Sequence, residues 1–175
     1  MTKWLKNSFF LLIFMSLAGC GFSPLYMETD NSQQLFQTLS QVSLNKLGGR
    51  YGQVFTTSLE DKLAPFGPAS SSQFNLQVTL NDTQEGYGFR LDEAVTRENS
   101  RLSVDYNLID NSTGKVINSG AIRSDLAYDI VQSDFANTQV REDAIFRNIE
   151  TASTRLATRL AIYFNNNPNT FKGSN

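Results

Sequence analysis

The chain has 175 residues, 40% of them hydrophobic and 18% charged, with 15 basic residues against 17 acidic ones and no histidine. That is enough chain for one domain with a sizeable core, and the slight acidic balance excludes a blanket basic surface for nucleic acid. Without histidine, imidazole general bases, catalytic triads and histidine-held metals are excluded as well.

At the N-terminus, Lys3 and Lys6 precede an apolar run from Phe9 to Leu17. The run is too short to cross a hydrocarbon core of ~30 Å, which takes ~20 helical residues, so residues 1–19 read as a signal peptide. Leu17-Ala18-Gly19 then leads into Cys20, the only cysteine of the chain. This junction resembles the lipobox of bacterial lipoproteins. The resemblance implies that the Cys20 thiol is alkylated with a diacylglycerol, that the chain is cut before it, and that the new amine is acylated. Three acyl chains exceed the two signals needed for stable anchoring. Gly21 stands where an inner-membrane retention signal would place Asp, so the same resemblance implies an outer-membrane address, facing the periplasm. Cleavage would also remove Lys3, Lys6 and the single tryptophan, Trp4, leaving the mature chain more acidic. With Cys20 lipidated no thiol remains for a disulfide, and stability must come from the core.

Residues Ser23 to Gln34 are polar and lack apolar periodicity, as suits a lipidated tether over residues 20–35 ahead of a domain at 36–165 and a flexible tail at 166–175. From Leu39 to Leu47 the alternation of Val42 and Leu44 with polar neighbours predicts a strand, ended by Gly48-Gly49. Tyr51, Phe55, Leu59 and Leu63 recur every four residues, predicting a helix from Arg50 to Ala64 that Pro65 terminates. Phe74, Leu76, Val78 and Leu80 alternate with polar residues as a strand buried on one face, and Leu102, Val104, Tyr106 and Leu108 repeat the pattern. Asp110-Asn111-Ser112-Thr113-Gly114 reads as a hairpin loop. A further strand follows on Val116, Gly120, Ile122, Leu126, Tyr128 and Ile130, with a bulge or bend expected at Gly120. From about Asp134 to Phe164 the positions Ile145, Ile149, Ala152, Leu156, Leu160 and Tyr163 mark a long amphipathic helix that Asn165-Asn166-Asn167-Pro168 stops. The order strand, helix, three strands, helix predicts an α+β fold: one antiparallel-rich four-stranded sheet with both helices packed on a single face.

The sequence Cys20-Gly21-Phe22, then Pro24-Leu25-Tyr26, a short strand, and Gly49-Arg50-Tyr51-Gly52-Gln53 opening a helix with Leu59-Glu60-Asp61-Lys62-Leu63 resembles the LPS-assembly lipoprotein family LptE, in an alphaproteobacterial style. The resemblance implies a non-enzymatic lipoprotein without cofactor or metal. Such a protein binds and plugs the outer-membrane barrel LptD and assists lipopolysaccharide assembly at the surface. An auxiliary lipoprotein of a phospholipid-trafficking ABC or Mce-type system is the second expectation. The adjacent carboxylates Glu60-Asp61, Asp92-Glu93 and Glu142-Asp143 cannot share a helix or strand face and read as solvated charges. The run Gly48 to Gly52 lacks the Gly-Lys-Ser/Thr ending of a phosphate loop.

The strand face that the helices leave uncovered carries Arg101, Lys115 and Arg123. These are the candidates for lipid A or core phosphates, since a guanidinium fork takes phosphate oxygens bidentately and lysine adds a point charge. Arg90 and Arg97 are secondary candidates, and a purely solvated face is the competing reading. Tyr87, Phe89 and Tyr128 are candidate barrel contacts that could equally belong to the core.

Overall fold

A computed structural model of the protein describes residues 30–89 and 95–168. The segment read as a signal peptide, Cys20, the part of the expected tether up to residue 29, Arg90, Asp92-Glu93 and the expected tail from residue 169 lie outside the described residues. The elements below belong to the compact unit Gln33–Asn175, except that the first helix begins three residues earlier, at Asp30.

In chain order they are α1 (Asp30–Ser40), β1 (Val42–Leu44), α2 (Gly49–Leu63), β2 (Phe74–Phe89), β3 (Val95–Asp110), β4 (Lys115–Asp129) and α3 (Asp134–Asn166). The sheet runs β1-β2-β3-β4. β2, β3 and β4 form an antiparallel meander, whereas β1 pairs with β2 in parallel, Val42 opposite Phe74. The α+β fold expected from the pattern is therefore present, with a mixed sheet and, among the described residues, one more helix than expected. α1 starts inside the segment read as a tether. Its fully buried apolar positions among the described residues are Leu35 and Leu39, with Thr38 buried between them, too few to register as a period. Such a helix is held by packing rather than propensity. Leu39, expected in the first strand, belongs to this helix, and the strand shrinks to three residues.

The helix-covered face of the sheet is the expected one. Phe74, Leu76 and Val78 of β2, Leu102, Val104, Tyr106 and Leu108 of β3, and Ile122 and Tyr128 of β4 are all buried. Against them α2 places Phe55, Leu59 and Leu63, and α3 places Ile145, Ile149, Leu156, Leu160 and Phe164. Burying each such side chain contributes ~1.5–3 kcal/mol before conformational entropy is counted. Gly52 is required where α2 starts, since a Cβ there would stand 2.9 Å from the Cβ of Leu47. Ser133 caps α3 by accepting from the Ala136 amide at 3.3 Å.

A bulge does interrupt β4, but not at Gly120, which stays in register opposite Tyr106. The shift lies between Leu108 and Ile109: Leu108 faces Asn118, whereas Ile109 faces Val116. Because side-chain direction alternates along a strand, skipping one residue puts Val116 on the opposite face from Ile122, and Val116 is 55% exposed.

Candidate functional site

The uncovered sheet face holds the charges, and most of them neutralise one another. Thr83, Arg101 and Asp125 lie abreast across β2, β3 and β4. Arg101 forks between two carboxylates, its Nε donating to Asp125 Oδ1 at 2.6 Å and its Nη1 to Glu85 Oε1 at 3.1 Å. The hydrogen bond to Asp125 is the chief reason the guanidinium is held above its ordinary pKa, and the same bond holds the Asp125 carboxyl below its own. Arg97 Nε meets Asp129 Oδ1 at 2.8 Å while its guanidinium carbon stands 5.7 Å from the Tyr87 ring centre. A phosphate approaching Arg97 or Arg101 would have to displace a carboxylate already in place.

Of the three cations expected on this face, the structure brings two together. Arg123 sits opposite Ser103 and is a diagonal neighbour of Arg101. Lys115 pairs with Asp110 beyond the bulge, out of phase with the other two, so the sequence grouping of three is corrected to a pair.

The aromatic candidates also separate. Tyr87 is 40% exposed at the far end of β2, and the Phe89 side chain lies outside the described residues. Tyr128 is buried on the helix-covered face, where its hydroxyl donates to Glu98 Oε2 at 2.5 Å. Arg141 of α3 closes the knot, donating through Nε to the Tyr128 hydroxyl at 3.2 Å and through Nη2 to Glu98 Oε2 at 3.1 Å. The Tyr128 hydrogen bond, joined by Arg141, lowers the Glu98 pKa against the opposing effect of burial, which in turn raises that of Tyr128. Deeper in, Asn148 of α3 accepts from Ser124 Oγ at 2.8 Å and donates to the Ser100 carbonyl at 2.9 Å, satisfying a buried polar link between helix and sheet.

One cluster has the outline of a nucleophile and base. Lys62 Nζ donates to Ser58 Oγ at 3.0 Å, and Ser58 Oγ lies 2.8 Å from Ser153 Oγ. Lys62 is simultaneously ion-paired to Glu150 Oε1 at 2.8 Å, and that contact is the first cause of the lowered Glu150 pKa. These contacts tie α2 to α3.

Arg155 and Arg159, on the polar side of α3, were not singled out by the sequence pattern, which follows only the oily stripe of that helix. Their four-residue spacing, repeated by Thr154 and Thr158, was the available signal. Both side chains reach the edge strand β4: Arg155 Nη1 donates to the Arg123 carbonyl at 2.6 Å and Arg159 Nη1 to the Ala121 carbonyl at 3.1 Å.

At the level of sequence, no protein family and no curated protein matches the chain. Solved structures do. The chain is similar to a lipoprotein structure from Caulobacter crescentus, 24% identical, with a TM-score of 0.61 over 75% of this chain and 95% of that one. It is similar to the rare lipoprotein B from Shewanella oneidensis, 12% identical, with a TM-score of 0.57 over 71% of this chain and 95% of the other. A minor lipoprotein from Acinetobacter baumannii matches at 15% identity and a TM-score of 0.56, over 70% and 89% of the two chains. The chain thus has a fold that several bacterial lipoproteins share.

Proposed function

We propose that this protein is an outer-membrane lipoprotein of the LptE kind. It is anchored by acyl chains on Cys20, faces the periplasm, and acts without catalysis by binding the LptD barrel as a plug and assisting lipopolysaccharide assembly. The observation that carries the reading is the shared fold with rare lipoprotein B, another designation of LptE, over nearly the whole of that chain. The lipobox-like Leu17-Ala18-Gly19-Cys20 supports it independently from the sequence. The uncovered sheet face, dense in ion pairs and edged by Tyr87, offers the polar surface that a plug presents to the hydrophilic interior of a large barrel.

The test is purification of the processed protein from outer membranes in mild detergent, with depletion in parallel. One large β-barrel in near-equal amount is expected, and depletion should leave that barrel misassembled and lipopolysaccharide missing from the cell surface. Recovery of an inner-membrane permease instead would point to the ABC or Mce-type role. Recovery of the protein alone, with normal surface lipopolysaccharide after depletion, would overturn the assembly role.

A further inference from the structure

The edge of the sheet along β2 changes character partway. Its first part is covered by β1, which lies parallel to Phe74–Leu76: the Phe74 amide donates to the Gln41 carbonyl at 3.2 Å and the Leu76 carbonyl accepts from the Asn45 amide at 3.2 Å. One step further the Asn45 side chain takes over from the backbone. The Val78 amide donates to Asn45 Oδ1 at 2.7 Å, and Asn45 Nδ2 donates to the Val78 carbonyl at 3.3 Å. A primary amide carries the donor and acceptor of a peptide group, so it lengthens the ladder by one residue. The even-numbered residues of β2 are thus the ones whose backbone groups point away from β3. The alternation continues through Leu80, Asp82, Gln84 and Gly86, which stay in unbroken antiparallel register with β3. Among the described residues, nothing bonds the outward N–H and C=O groups of these four.

A groove of ≈ 330 Å³ lies beside the start of this open stretch, lined by Leu47, Tyr51, Leu80, Asp82, Leu102 and Ile145 among others. Leu80 and Asp82 share the strand phase of Leu76 and Val78, so the groove is on the helix-covered side, where every second side chain of an added strand would fall. Edge strands are ordinarily blunted by charges, prolines, bulges or a covering segment. Here the charges are Asp82 and Glu85, and Glu85 is engaged by Arg101. The exposed Asp82 carboxylate meets Gln84 Nε2 at 3.2 Å but no lysine or arginine among the described residues. A second copy pairing along the same edge would set its Asp82 opposite or diagonal to this one, like charge against like. A basic segment would gain from the same carboxylate. The apolar groove next to it has no part in repelling a strand.

We infer that the edge of β2 from Leu80 to Gly86 binds an extended segment of a partner polypeptide as an added strand, with an apolar side chain in the groove beside Leu80 and a basic side chain two residues away against Asp82. On such an edge the main-chain hydrogen bonds supply affinity, and pockets for alternate side chains supply specificity. The added strand continues the line that β1 and the Asn45 amide begin. The site belongs to the Gln33–Asn175 unit and requires nothing of the anchor or of a barrel.

The probe is the peptide acetyl-Thr-Lys-Thr-Leu-Thr-Lys-Thr-amide, whose symmetry offers the same side chains in either strand direction, titrated into the full-length chain in a nonionic detergent. It should bind one to one and slow hydrogen exchange at the amides of Leu80, Asp82 and Gln84. Serine in place of its leucine should weaken binding tenfold or more, as loss of one buried aliphatic side chain implies. Glutamate in place of both lysines should weaken it several-fold, and Asp82→Lys in the protein should reverse that preference. N-methylation of the leucine and both lysines, or of the two central threonines, should abolish binding for one set and spare it for the other, because only alternate amides of a strand face its neighbour. Unslowed exchange in the saturated complex, or equal effects of the two methylation patterns, would overturn strand addition. The same peptide preference before and after Asp82→Lys would overturn the charge match. Slowed exchange along β4 instead would overturn the site. A dimer of the chain that protects the same amides and shuts out the peptide would give the edge to a second copy and overturn the partner assignment.

Discussion

The knot of Tyr128, Glu98 and Arg141 shows how a single hydroxyl can make stability depend on pH. Glu98 has its pKa lowered in the folded state, first by the hydrogen bond from Tyr128. A carboxyl with a depressed folded pKa contributes stability that is complete above its unfolded value and is lost as pH falls through the folded one. Stability should therefore hold near neutrality and decline on acidification from about pH 4.5 downward, with Asp125, Asp110 and Glu150 adding to the same slope because their pKa values are also lowered. Tyr128→Phe keeps the buried ring and removes the donor. It should cost ~1–2 kcal/mol at pH 7, and less at pH 3, on the acid side of the ordinary carboxyl pKa, as Glu98 takes up its proton. Urea titrations at the two pH values check this; an equal loss at both would show that Glu98 gains nothing from the hydroxyl.

Among the elements, those with a continuous apolar period were legible in the sequence, and those whose form depends on a neighbour were not. α3 announces itself because its stripe runs for many turns, and the first half of β2 because Phe74, Leu76 and Val78 alternate cleanly. From Asn81 to Gly88 the residues of β2 are exposed on both faces, so nothing in their polarity marks a strand, and the stretch around Gly86 to Arg90 reads as a connection. Pairing with β3, down to Tyr87 opposite Arg97, is what makes it one. The sequence points to a bulge at the glycine, yet Gly120 makes room for Arg159 and Tyr106 instead, and the shift occurs where no sequence signal marks it. Its consequence is measurable: Val116→Lys, on an exposed side chain, should change stability by less than ~0.5 kcal/mol. Ile122→Lys, on the same sequence parity but 5% exposed, should lose more than ~3 kcal/mol by burying a charge. Similar melting transitions for the two variants would contradict the register.

Across the whole molecule, the α+β plan was readable because each helix has one oily stripe and the strands one oily face, while the charge plan was not. Which arginine meets which carboxylate depends on cross-strand register and on α3 lying over β3 and β4, so Arg101 looked available and Arg155 and Arg159 went unnoticed. The attachment of the first elements has a mechanical consequence. β1 grips the sheet through only three parallel pairs, from Val42 opposite Phe74 to Leu44 opposite Leu76, and α1 adds the buried Leu35 and Leu39. β2 and β3, by contrast, are zipped over most of their 16 residues each. Under tension between residues 30 and 168, the segment 30–44 should detach at low force while β2, β3, β4 and α3 stay assembled, and only a much larger load should rupture the rest. Optical-trap traces should show two separated lengthenings, and one simultaneous rupture would contradict the expectation. A protein hung from a membrane by its N-terminus would then yield first at its suspension, absorbing a pull from a moving envelope without surrendering its core.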